Sequence, residues 1–184
     1  MTARGSGLIA VEGVDAPAVR AAAKEALAGV ERKRRTGISE WDASGIFHEL
    51  AVAENSAGRA SARTLLLLYA ADLAFRLRWE IRPVLADGKC VVAAPYVATA
   101  VAFGRAAGLP ARWLEDLFSF APAADESLFV DSDTNRGRGT RGFVEFGCAH
   151  IHAALNGVTR PELAALTTAY LRTALTRRRR DRAG

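Results

Sequence analysis

Three short apolar runs constrain this chain more than any other feature: GLIAVEG (7–13), KCVVAAP (89–95) and SLFVD (127–131). A run hydrophobic on both faces and closed by Gly, Pro or a charged residue reads as a strand buried inside a parallel sheet. Between the runs the period turns helical. Pro17 opens a helix that the Ala- and Arg-rich stretch carries to about residue 35, since Pro is well tolerated in a first turn. Ser39 with Asp42 gives a Ser-x-x-Asp start to a second helix over roughly 40–54. Residues 63–85 read as one long helix, too densely apolar for a single exposed face and ended by Asp87-Gly88. Further helices are expected over 97–107, after Pro110, and twice at the end of the chain, where Thr159, Pro161 and Glu162 form a capping box with Pro in the first turn.

Strand and helix alternate, so the expected class is α/β, a three-layer domain with a parallel sheet and helices on both faces. It occupies residues 1–176, followed by an Arg-rich tail, 177–184. Ligands of such sheets bind beyond the carboxyl ends of the strands. Those ends are Glu12–Asp15, Ala93–Tyr96 and Val130–Asp133.

The net charge of +5 suggests nucleic acid until it is located. RRRRDR (177–182) carries +4 of it, which leaves the body near +1. A solvated helix end, its arginines complementing the C-terminal dipole, explains the tail; nucleic acid enters only through it. Cys90 and Cys148 stand far apart with no CxxC spacing and read as ordinary thiols of a reducing cytoplasm. No apolar run approaches the ~18 residues of a membrane helix, and no N-terminal signal pattern is present, so no membrane association is expected.

LIAVEGVD (8–15), the block RTLLLLYAADLAFRLRWEIRPVLADGKCVVAAPYVATAVAFGRAAGL (63–109) and ESLFVDSD (126–133) together resemble the thymidylate kinase family of P-loop nucleoside monophosphate kinases. The family patterns are EGxDGxGKST, LLFAADR and IxPAL-x-x-GK-x-VIxDRY-x-x-SSLAYQ. The resemblance spans about residues 7–175 and is gapless over 63–109. It implies the P-loop kinase fold, Mg²⁺ and ATP as cofactors, dTMP as acceptor, and pairing of subunits through helices that include the AAD-bearing one.

The chemistry does not follow the resemblance. In G-x-x-x-x-G-K-[ST] the glycines let backbone N–H groups surround phosphates, the Lys holds the β- and γ-phosphates, and the hydroxyl holds Mg²⁺. Counting from Gly13, those last three positions are Ala18, Val19 and Arg20, and Pro17 removes a further donor. The Asp and Arg of DRY are Ala94 and Pro95, with Tyr96 kept. The Arg of AADR is Leu73, and AYQ has become Ala102-Phe103-Gly104. The REPGGT stretch matches SEWDAS (39–44), which has no Arg. Phosphoryl transfer depends on such groups, one arginine alone being worth about 10³-fold or more.

Several residues survive. Glu12, Gly13 and Asp15 are retained at the end of the first strand; the resemblance places Asp15 near the acceptor sugar and metal, although Asp15 better suits the cap of the following helix. Tyr69 holds the position that stacks on thymine, or is a core aromatic; Asp72 reads as a structural hydrogen-bonding group. Arg20 and the loop arginines Arg136, Arg138 and Arg141 are the candidate anion contacts. His48 reads as a surface residue, and His150 and His152 do not share a helix face. Asp131 and Asp133 read as solvated strand-end carboxylates. The expectation is a thymidylate kinase-like protein without catalytic residues, metal or cofactor, acting as an interaction or regulatory subunit, a homodimer or the partner of another protein. The alternative is a dTMP/ATP sensor or residual phosphotransferase, using Tyr69, Asp15 and Phe103 with Mg²⁺ and ATP.

Overall fold

The computed structural model describes residues 7–57, 59–131, 142–151 and 158–181. The elements run β1 (Gly7–Gly13), α1 (Ala16–Ala28), β2 (Arg35–Glu40), α2 (Ile46–Ala57), α3 (Ala62–Arg76), a π-helical turn (Leu77–Ile81), α4 (Arg82–Ala86), β3 (Cys90–Ala94), α5 (Val97–Ala106), α6 (Ala111–Leu117), β4 (Glu126–Val130), α7 (Phe143–His150) and α8 (Arg160–Asp181). The strands form one parallel sheet in the order β2-β3-β1-β4. The class expected from the three apolar runs is the class found.

Strand alternation divides the core between two faces. Leu8 and Ala10 of β1 join the larger cluster with Leu65, Leu66 and Phe103. Ile9 and Val11 join the smaller one with Val19, Ala23 and Ala26 of α1. Helix α8 covers α5 and packs Leu171 and Leu175 against Ala102 and Phe129.

Two elements depart from expectation near the N-terminus. Helix α1 does not reach residue 35 but ends at Ala28, before Gly29. The fourth strand, β2, follows, and no apolar run announces it: Arg35 and Thr36 are exposed, as an edge strand allows. Arg35 Nη2 donates to the carbonyls of Ala28 (2.6 Å) and Val30 (3.0 Å), so the charge cluster that suggested more helix instead finishes it. Ser39 lies inside β2 and starts nothing. Asp42 alone caps α2, accepting from the N–H groups of Phe47 (2.9 Å) and His48 (3.1 Å) with its own backbone at φ 62°.

The long apolar helix is present but changes its winding. Pro83 has no N–H and its ring would press on the carbonyl four residues back; the π turn at 77–81 accommodates it.

Candidate functional site

Only Val14 and Asp15 separate β1 from α1, so the chain enters the helix where a phosphate-binding loop would still be curling. Ala18 and Val19, at the Gly and Lys positions of the pattern, lie in the first helical turn. Asp15 accepts the Ala18 N–H on Oδ1 (2.8 Å) and the Val19 N–H on its carbonyl (2.9 Å). Its carboxylate thus caps the positive end of α1, where an anion would otherwise bind. Val19 is 4% exposed and turned into the core. Its Cγ2 lies 2.7 Å from the point a Cβ on Gly13 would occupy, so glycine there serves packing.

Arg20 is held elsewhere. Its Nη2 lies 3.1 Å from Glu40 Oε2, a half-exposed pair at the rim. Gly13, Val19, Arg20, Trp41, Pro95 and Phe143 help to line the remaining cleft, a cavity of about 30 Å³. That is room for one or two water molecules.

Glu12 is built into the fold beside this cleft. At 1% exposure it accepts from the N–H groups of Tyr96 (3.2 Å), Ala98 (2.9 Å) and Thr99 (3.0 Å) and from the Thr99 hydroxyl (2.6 Å). It caps α5 from another element, since Tyr96 at that helix's N-cap makes no side-chain capping bond. Burial pushes the carboxyl of Glu12 upward, while the hydrogen bonds hold it back.

The acceptor side is filled by aromatic rings. Tyr69 is fully buried, donates from its hydroxyl to the Tyr96 carbonyl (2.5 Å), and packs 4.5 Å from the Phe143 ring. Burial raises its phenol far above the usual range, and that of Tyr96 to about 12. Phe103, also fully buried, lies 5.1 Å from the same Phe143, which contacts Phe47 and Trp41 as well. Of the two readings of Tyr69, the geometry is that of a core aromatic. Asp72 accepts from Asp42 N–H (3.1 Å), Ser44 N–H (3.0 Å) and Ser44 hydroxyl (2.9 Å), so it holds the β2–α2 turn.

Arg76 was not foreseen. It is completely buried; Nε donates to Ser39 Oγ (2.9 Å) and Nη2 to the carbonyls of Ser39 (2.7 Å) and Pro95 (3.0 Å). Ser39 Oγ in turn donates to Glu80 (2.6 Å), which relays a negative charge towards the guanidinium. The signal was present in the sequence: residues 69, 72 and 76 recur at three and four, a polar stripe on the buried face of α3.

The remaining candidates do not converge. His48 is exposed on α2, and His150 is buried with its ring stacked 3.9 Å from Phe146. Asp131 is paired with Arg172 at 2.8 Å. Arg136, Arg138, Arg141, Asp133 and His152 lie outside the described residues, as do the side chains of the Arg-rich tail. Mg²⁺ requires oxygen ligands. The matching positions hold Arg20 and Ala94, and Asp15 is engaged as a cap, so these residues do not fit a Mg²⁺-nucleotide. Among the described residues no three His, Cys, Asp or Glu are grouped as a metal site, and no helix is long and apolar enough to cross a membrane.

Sheet order, helix placement and the short turn after β1 define an α/β protein of the P-loop nucleotide-kinase type. The comparisons agree on the type. The crystal structure of thymidylate kinase from Ehrlichia chaffeensis superposes with TM-score 0.57 at 17% identity, over 71% of this chain and 78% of that one. In sequence, "Probable thymidylate kinase 2" of Saccharolobus solfataricus is 29% identical over 123 residues, 67% of this chain and 58% of that protein. "Probable thymidylate kinase" of Pyrococcus abyssi is 37% identical over 73 residues, 40% of this chain and 36% of that protein. The matched stretches thus span from about a third to somewhat over half of these relatives. No protein-family model matches the chain. The chain is a distant homologue of these thymidylate kinases and has the thymidylate kinase-like fold.

Proposed function

We propose that this thymidylate kinase-like protein does not transfer phosphate and acts through contacts with protein, first of all with a second copy of itself. The observation that carries the reading is Val19: the position that needs a cation is an aliphatic side chain packed into the core, below a cavity of about 30 Å³. Phe143 against Tyr69 and Phe103 supports it from the acceptor side.

A surface for self-association lies on the long helix. Leu67 (53% exposed), Phe75 and Trp79 (65% exposed) form an apolar stripe with Ala71 between them, one helical turn apart. The spacing is symmetric about Ala71. Antiparallel pairing of two copies would set Leu67 opposite Phe75 and Arg63 opposite Trp79, with a small residue at the crossing. The two acids of this stretch, Asp72 and Glu80, are engaged with Ser44 and Ser39 and do not interrupt the stripe.

Calorimetric titration with Mg²⁺-ATP and separately with dTMP, followed by a phosphoryl-transfer assay, tests the first half. Silence from folded protein is expected. Micromolar binding of either nucleotide, or turnover, would overturn it and favour a nucleotide sensor or enzyme.

A further inference from the structure

While the cleft at the carboxyl ends of the strands is nearly closed, a larger space opens on the other side of α5. It is a groove of about 610 Å³ between α5, α6, the segment leading into β4, and β4 itself. That volume falls within the range of small-molecule sites, about 300–1,000 Å³. Val97, Val101, Ala121 and Pro122 give it an accessible apolar wall, with Tyr96, Leu114 and Phe118 buried behind it.

Its charge is one-sided. Two carboxylates, Glu12 and Glu115, line the groove, and no Lys, Arg or His is among the described residues that do. Glu12 is 1% exposed and its oxygens are unequally used: Oε2 accepts three hydrogen bonds, Oε1 only the Ala98 N–H. A carboxylate has room for about four, so Oε1 keeps an acceptor position. Glu115 is exposed on α6 and adds a second negative group. An anion entering here would meet like charge in a partly desolvated space; an ammonium would meet opposite charge.

We propose that this groove binds a small organic cation, an amine on an apolar body, with the ammonium drawn to Glu115 and towards Glu12 and the body against Val97, Val101 and Pro122. Neither the closed phosphate loop nor self-association enters the argument, so nucleotide titrations leave this proposal untouched.

The test uses the full chain and two matched probes, phenethylamine and 3-phenylpropionate, followed by saturation-transfer NMR and thermal shift. The amine is expected to bind at least about tenfold more tightly than the carboxylate, the direction set by two like-signed groups near the ligand. Glu115→Gln should narrow that ratio. Ala123→Trp, at an exposed lining position where folding is not at risk, should abolish binding of the amine. Absence of amine binding to the folded wild type, equal binding of both probes, or unchanged binding in Ala123→Trp would each overturn the proposal.

Discussion

At the scale of single residues, the turn after β1 is held by packing and capping. Val19 is part of the core, so Val19→Lys buries an ammonium beside Ile9 and Val11. The expected cost is about 2–4 kcal/mol in chemical denaturation. Asp15→Ala removes the cap of α1 and should cost about 1 kcal/mol. Glu12 is the stronger case, because its carboxylate serves four donors at once. Glu12→Gln puts an amide NH₂ among N–H and O–H donors and should destabilise by about 2–4 kcal/mol. Its titration also has a sign. Burial raises the folded-state pKa of Glu12, so the stability it contributes is fully present below the unfolded value near 4.5 and is lost as pH rises through the folded value. The stability advantage of wild type over Glu12→Gln should therefore shrink from pH 4.5 upward. An advantage that grows over that window would contradict the assignment.

At the scale of elements, α7 organises the aromatic cluster between α3 and α5. Its first residue, Phe143, reaches Tyr69 on α3 and Phe103 on α5, and Gly147 gives Phe103 its place, since a Cβ there would lie 2.6 Å from Phe103 Cζ. Phe143→Ala should cost about 3–5 kcal/mol, read from denaturant unfolding, because the ring is 1% exposed and the rings around it cannot all collapse inward. The elements themselves were unevenly legible. β1 and β3 announced themselves because a strand buried on both faces is apolar throughout; β4, half-buried at the opposite edge, was legible from its apolar run 128–130. β2 did not, because an edge strand carries Arg35 and Thr36 outward and takes its place from hydrogen bonds to β3. Gly29 did mark the end of α1, but the charged residues after it continued a helical composition, and only pairing with β3 turned them into a strand.

At the scale of the whole molecule, the surface left uncovered matters more than the cleft. The stripe of Leu67, Phe75 and Trp79 lies on a helix whose opposite side holds Leu65, Leu66 and Tyr69 in the core. Density of apolar residues suggested burial of this helix on more than one side; within one chain the stripe stays exposed. Sedimentation velocity at tens of micromolar should give a dimer for wild type and a monomer for Trp79→Glu, with unfolding unchanged because Trp79 is exposed. A wild-type monomer would remove the second copy as partner and leave the stripe to another protein.

The sequence by itself determined the sheet class, the three apolar strands along the chain and the residues that stand at the positions of the phosphate-binding pattern. Those properties depend on residue identity and local period, which a chain carries before it folds. Tertiary structure alone decided that the Tyr69 ring packs in the core against Phe143, that Arg76 ties β2 to the end of β3, and that Glu12 caps a helix 84 residues away. Each depends on which side chain arrives from a distant element, and a linear pattern does not encode that arrival. The groove behind α5 belongs with them: its walls come from four separate stretches, and it exists only when they are assembled.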